Sequence, residues 1–124
     1  MAQFEILLTN EFSAAHQLRL PDGTLEPLHG HNWKVEVYLQ GQQLDQMDVL
    51  ADFTVVRPQL LAVCDGLHDT HLNDHPAFQS VNPSTELVAK FIHDQLAPEL
   101  ADNVKISRVR VWETSGCAAA YSPS

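Results

Sequence analysis

Two stretches of this chain alternate in strict period two, and histidines fall on their apolar parity. In residues 3–16, Phe4, Ile6, Leu8, Phe12, Ala14 and His16 share one parity; in residues 29–39, His29, His31, Trp33, Val35, Val37 and Leu39 do. Successive side chains of a strand point to opposite faces, so each set lines one face. Lys34, Glu36 and Tyr38 take the other face of the second stretch. Between the two lies QLRLPDGTLEPL, whose Pro-Asp-Gly signal marks a loop. The pattern predicts an antiparallel hairpin with a long connection.

After a polar connection over 40–51, helical spacing takes over. Val56, Leu60, Val63, Cys64 and Leu67 predict a helix from Thr54 to about Leu67, with Pro58 near its first turn. Residues 68–83 read as a polar, histidine-bearing loop. A second helix is predicted from about Thr85 to Leu96, capped by Asn82 or Ser84 and followed by Pro98. Residues 104–114 predict a third strand. Val109, Val111 and Glu113 share a face, whereas Val104 and Ile106 fall on the opposite parity, so a bulge is expected near Ser107. Thr114-Ser115-Gly116 turns the chain into a short last strand, Cys117 to Tyr121. The order is ββααββ, an α+β domain spanning 1–124: a four-stranded antiparallel sheet with two helices on one face. Two open sheet edges favour oligomerisation.

Composition narrows the function. A chain of 124 residues with 44% apolar and 19% charged residues suits one soluble globular domain. No apolar run approaches membrane-spanning length. The start, MAQFEILLTNEF, lacks a basic region and cleavage site, so a cytoplasmic protein without signal peptide is expected. A net charge of −9 with only seven Lys and Arg argues against a nucleic-acid partner, and mildly against a highly anionic substrate. Cys64 and Cys117 lack CxxC spacing and read as free thiols, Cys64 in the core and Cys117 without a role.

His16, His29 and His31 carry the sharpest chemistry. His29 and His31 project to one face, and His16 ends the paired strand on its apolar face. Three neutral imidazoles converging on one point form a catalytic zinc arrangement, with water or substrate as fourth ligand. No cysteine or nearby acid is expected to close the set. As mere core residues, three unpaired imidazoles would cost roughly 1–3 kcal/mol each.

These histidines lie in motifs that resemble the 6-pyruvoyl-tetrahydropterin synthase family, including its bacterial 6-carboxytetrahydropterin synthase branch in queuosine biosynthesis. The likeness rests on FSAAHQL at 12–18, LHGHNW at 28–33, ADF at 51–53, LHDTHLND at 67–74, NPSTELVAKFIHDQL at 82–96 and VRVWET at 109–114. It implies the tunnelling fold, in which sheets of several subunits join into a barrel, usually a hexamer of two trimers with sites at subunit interfaces. It implies that His16, His29 and His31 bind zinc and that Glu113 anchors a pterin. A carboxylate suits that anchor, because the ring's N3–H and 2-amino group are parallel donors. Ser84 and Thr85 match hydroxyl residues near the pterin, or serve only as the helix cap.

Two departures stand out. The family's catalytic cysteine falls at Leu25, which transfers no proton. Glu26, next to it, is the ionisable group in TLEPLHGH other than the ligands. The resulting E-x-x-HGH resembles a cysteine-lacking branch linked to folate synthesis, which cleaves dihydroneopterin triphosphate to 6-hydroxymethyl-dihydropterin. Glu26 is thus a candidate general base, or a solvated loop residue. The family's Asp-His relay appears here inverted, as His68-Asp69, so His68, Asp69 and His71 are candidates whose inward member the sequence leaves open. His75 and His93 read as surface residues. The resemblance implies a zinc-dependent lyase acting on the side chain of a reduced pterin, 7,8-dihydroneopterin triphosphate, with 6-pyruvoyl- or 6-carboxytetrahydropterin synthase-like chemistry. Side-chain cleavage toward folate and a non-catalytic zinc- and pterin-binding homologue are the alternatives.

Overall fold

Strands β1 (Phe4–His16) and β2 (His29–Gly41) pair antiparallel along their whole length, from Phe4 opposite Gly41 to His16 opposite His29. The computed structural model describes residues 2–124. The even parity of β1 and the odd parity of β2 face the core: Leu8, Phe12, Trp33, Val35, Val37 and Leu39 are buried. Phe12 stacks on its cross-strand partner Trp33 with ring centroids 5.9 Å apart.

Helix α1 (Phe53–Asp65) starts where Asp52 accepts a hydrogen bond from the Thr54 amide, which accounts for the ADF segment. Pro58 lies in its second turn rather than near its first, correcting the sequence expectation. Helix α2 (Thr85–Leu96) is capped by Ser84, not Asn82, through a bond from Leu87 N. Val56, Leu60 and Cys64 of α1, and Val88, Ala89, Ile92 and Leu96 of α2, form the apolar faces. Both helices pack on the same sheet face, α1 against β1 and α2 against the last two strands.

Those strands are β4 (Lys105–Thr114) and β5 (Cys117–Tyr121). β4 pairs with β2, and the register slips where Tyr38 faces Arg108 while Leu39 faces Ile106. Ser107 is the extra residue, so the expected bulge is there, and it returns both Ile106 and Val109 to the core. A second slip, between Trp112–Ala118 and Thr114–Cys117, leaves Glu113 as an extra residue at the end of β4.

The sheet has five strands, not the four predicted, with β3 (Thr70–His71) added at one edge in the order β3-β1-β2-β4-β5. The added strand is two residues long and runs parallel to β1 at Ala14 and Ala15. It is reached through Asp69, whose left-handed φ of 57° swings the chain against the β1 edge. The site end of that edge is therefore covered rather than open. The rest of 68–83 adds two short 3₁₀ turns, Leu72–Asp74 and Pro76–Phe78. Among the described residues, no helix is long and apolar enough to cross a membrane.

Candidate metal centre

The pairing of β1 with β2 sets His16 directly opposite His29, with His31 one core position further along. The three imidazoles meet edge to face, their centroids 4.6, 4.7 and 5.4 Å apart. Trp33 forms the floor, its ring 4.8 Å from that of His16 and 5.5 Å from that of His31. Its indole N–H is satisfied by the Ala14 carbonyl at 3.1 Å, so the floor is apolar toward the histidines.

Two backbone carbonyls orient the ligands. His16 Nδ1 donates to Pro83 O at 2.8 Å, and His29 Nδ1 donates to Pro27 O at 2.9 Å. A carbonyl only accepts, so the Nδ1 proton is committed and each Nε2 presents a lone pair to the centre. The Nε2 atoms of His16 and His31 are buried and have no hydrogen-bond partner among the described residues. Burial is also the main cause holding the His31 pKa below its ordinary value, reinforced by the other two histidines and opposed by Glu113. Nitrogen lone pairs so placed fit a divalent cation, and orphaned they would be costly.

Glu113 joins the cluster, which corrects the expectation that no acid lies near it. Its Oε1 is 2.7 Å from His16 Nε2, 3.2 Å from His31 Nε2 and 3.9 Å from His29 Nε2. His16, His29, His31 and Glu113 offer four ligand atoms within 4.8 Å of one another, a set able to hold a metal ion.

Glu26 also reaches the centre. Its Oε1 lies 3.9 Å from His29 Nε2 and accepts a hydrogen bond from Leu18 N at 3.0 Å. Glu26 N in turn donates to Leu18 O. The segment around Leu18 is held by two asparagines that act as substitute strands. Asn73 bonds both backbone groups of Gln17, and Asn82 both of Arg19. Loop 17–28 is thus fixed at its base, and its Pro21-Asp22-Gly23 turn carries the left-handed Gly23, with φ 89°.

The remaining candidates stand outside this cluster. His68 Nδ1 accepts from Ser13 N at 3.0 Å, and its Nε2 faces Asp69 Oδ2 at 3.3 Å. The pair is intact but committed to the β1 edge, with the Asp69 side chain largely exposed. Asp69 lines a shallow cavity together with His31 and Asn32. His71 Nδ1 is 3.4 Å from Asp74 Oδ2, while its buried Nε2 lacks a partner among the described residues. It lines a cavity of about 430 Å³ with Arg19 and Leu25. Ser84 is engaged as the cap of α2, next to the Pro83 carbonyl, and Thr85 begins the helix. Sequence reasoning missed the Pro83 and Pro27 carbonyls, which as backbone groups leave no side-chain signal. Trp33, by contrast, follows His29 and His31 on the same parity.

Residues 5–124 match the family described as 6-pyruvoyl tetrahydropterin synthase. The chain belongs to that family. It is 32% identical to the 6-carboxy-5,6,7,8-tetrahydropterin synthase of Bacillus subtilis, over 97% of this chain and 86% of the relative. It is 29% identical to the dihydroneopterin monophosphate aldolase of Pyrococcus furiosus, over 87% of this chain and 88% of that one. The 6-pyruvoyl tetrahydropterin synthase of Caenorhabditis elegans shares the fold with a TM-score of 0.85 at 22% identity, covering 100% of this chain and 98% of its own. The tunnelling fold and membership in a family of enzymes that process pterin side chains are thereby established.

Proposed function

We propose that this protein is a zinc-dependent lyase that breaks the side chain of a phosphorylated 7,8-dihydroneopterin, with Glu26 in the place of the family's cysteine. The observation that carries the reading is the Glu26 carboxylate 3.9 Å from a ligand nitrogen of His29, at a centre that no thiol serves. Cys64 is buried in the core, its thiol pushed up to about 11 mainly by that burial, and Cys117 is exposed on β5. Similarity to a relative named as an aldolase supports the cleavage reading. Similarity at 32% to a 6-carboxytetrahydropterin synthase supports the second reading, the synthase chemistry typical of the family.

Zinc held by His16, His29 and His31 would supply Lewis-acid polarisation of the side-chain oxygens and lower their pKa. The chain's own groups do the rest. Glu113 accepts the N3–H and 2-amino donors of the ring, with Ser84 and Thr85 nearby. Glu26 removes the proton of the 2′-hydroxyl. The C1′–C2′ bond then breaks as C2′ becomes an aldehyde, and the N5=C6 bond of the ring takes up the electron pair. Returning the proton to C1′ leaves a 6-hydroxymethyl group, with no oxidant or reductant consumed. His68, Asp69 and His71 we assign to proton transfer at a site completed by a neighbouring subunit, in a hexamer of two trimers. The exposure of His68 and Asp69, and the buried Nε2 of His71 that lacks a partner among the described residues, suit that role.

The test is to incubate the zinc-loaded protein with dihydroneopterin monophosphate and triphosphate and to identify products by mass spectrometry. A 6-hydroxymethyl product is expected, abolished in Glu26→Ala with zinc content unchanged. A 6-carboxy or 6-pyruvoyl product favours the second reading. Pterin binding without turnover leaves a non-catalytic homologue.

A further inference from the structure

The sheet face opposite the helices carries more positive charge than the composition of the chain suggests. Four of the seven Lys and Arg residues stand on it. Their places follow from the register of β2 with β4: Lys34 pairs with Trp112, Glu36 with Arg110, Tyr38 with Arg108 and Gln40 with Lys105. Val35, Val37 and Leu39, and Ile106, Val109 and Val111, take the core positions between, so these eight side chains share the face away from the core. Of the sixteen Asp and Glu, Glu5, Glu11 and Glu36 join them there. A net charge of −9 thus hides one face on which basic groups outnumber acidic ones.

Three of these cations form a ridge along β4. The bulge at Ser107 brings Lys105 and Arg108 to successive outward positions, opposite Gln40 and Tyr38, and Arg110 comes next. Such positions are about 7 Å apart along a strand. An acid and two aromatic residues hold the ridge in place. Arg110 Nε donates to Glu36 Oε1 at 2.7 Å, and its Nη2 donates to the Tyr38 hydroxyl at 2.8 Å. The Trp112 indole N–H donates to the same Glu36 oxygen at 2.7 Å. The Tyr38 ring, fixed in this way, carries the Arg108 guanidinium 4.3 Å from its centroid. Arg108 itself makes no side-chain hydrogen bond or ion pair among the described residues. A guanidinium stacked on a ring keeps its fork of N–H donors for an acceptor from outside. At the Lys105 end the ridge runs into a cavity of about 380 Å³ lined by Gln40, Gln42, Gln43, Asp102 and Asn103.

We infer that this ridge is an anion site for a condensed phosphate, two or three phosphoryl groups long, held by Arg108 together with Lys105 and Arg110. Spacing selects the class. A single phosphate reaches one of these residues, whereas a chain of phosphates meets two at once, and the Arg108 fork matches its oxygens bidentately. The acids of the face leave the ridge open. Glu36 is already bonded by Arg110 and Trp112, and Glu5 by Gln40 Nε2 at 3.0 Å. Glu11 lies toward the other end, opposite Lys34. The site is separate from the metal centre, whose histidines take the core parity of β1 and β2, and it does not rest on the pterin reading.

Calorimetry tests it. The zinc-loaded protein is titrated with sodium tripolyphosphate, ATP, inorganic phosphate and sulfate at one ionic strength, with zinc content measured before and after because polyphosphates chelate metal. Tripolyphosphate is expected to bind at least tenfold more tightly than phosphate or sulfate. Arg108→Ala, verified as folded by circular dichroism and by its zinc content, should weaken tripolyphosphate at least tenfold, the worth of one charge-assisted hydrogen bond. Arg108→Lys should recover only part of this, since an ammonium keeps the charge without the fork. ATP binding tighter than tripolyphosphate assigns the cavity to the group esterified to the phosphates; ATP binding no tighter assigns the site to the phosphates alone. Equal affinity for all four anions would be charge screening only and overturns the inference. Tripolyphosphate binding that survives Arg108→Ala combined with Lys105→Ala overturns it too. A change of oligomeric state in Arg108→Ala by sedimentation, with anion affinity unchanged, would make the face a contact between copies of the chain instead.

Discussion

The carbonyl of Pro83 accepts a hydrogen bond from His16 Nδ1 at 2.8 Å, joining the segment before α2 to the end of β1. Ser84, the next residue, caps that helix through Leu87 N. Ser84→Ala should therefore act at two places. Loss of the cap costs about 1 kcal/mol in chemical denaturation. The loosened 83–84 backbone should also weaken metal retention several-fold, measured against a chelator. An unchanged affinity would mean that Pro83 does not need the cap to hold His16.

Asn73 and Asn82 each donate to and accept from one residue of the segment that anchors Glu26. Asn82→Asp keeps the size but cannot donate to Arg19 O. The expected cost is about 0.5–1.5 kcal/mol, since the carbonyl of an exposed residue loses its partner beside a new charge. Loop 17–28 should be cut faster by protease, and kcat should fall while metal content stays constant. Were kcat untouched, Glu26 would not need its loop held.

On the opposite sheet face, Glu36 Oε1 accepts from both Arg110 Nε and Trp112 Nε1 at 2.7 Å. The Arg110 hydrogen bond is the leading cause that holds its carboxyl below the ordinary value of 4.5. A depressed carboxyl stabilises the fold fully above its unfolded value, and this contribution is lost as pH falls through the folded one. Stability should therefore drop on acidification below about pH 4.5. Glu36→Gln should be less stable at neutral pH by about 1–3 kcal/mol and show a shallower acid limb. Denaturation curves at pH 7 and pH 4 would reveal the difference, and parallel acid limbs would remove Glu36 as the cause.

The two thiols should separate cleanly. Cys64 is buried and its thiol is pushed up to about 11, whereas Cys117 is exposed. A thiol reagent should modify one cysteine per native chain and two in denaturant. Cys117→Ser should retain turnover. A large loss would return the base to a cysteine and displace Glu26.

Much of this was readable from parity. Side-chain alternation placed His16, His29 and His31 on one face, and the clash between Ile106 and Val109 pointed to Ser107 as the extra residue. Strand β3 was not readable, because two residues held by backbone pairing leave no periodic trace, and their direction depends on Asp69 taking a left-handed turn. Glu113 was legible as an inward-facing acid but not as a neighbour of the imidazoles, because a bulge at that very residue sets its aim. Glu26 fell between the two. Its spacing from His29 was plain, but its orientation comes from Leu18, Asn73 and Asn82, which no local motif connects.

His16 and Glu113 belong to the first and fourth strands, so nearly the whole chain separates two groups that end up in contact. A contact of such long range closes late, after the sheet between is in register. A chain slipped by one residue in β2 would turn His29 and His31 to the other face and break up the His16, His29, His31 and Glu113 cluster. A metal held at this centre would therefore act as an inspector of folding: it would be retained only by molecules whose register is correct end to end, and its binding energy would add to their stability alone.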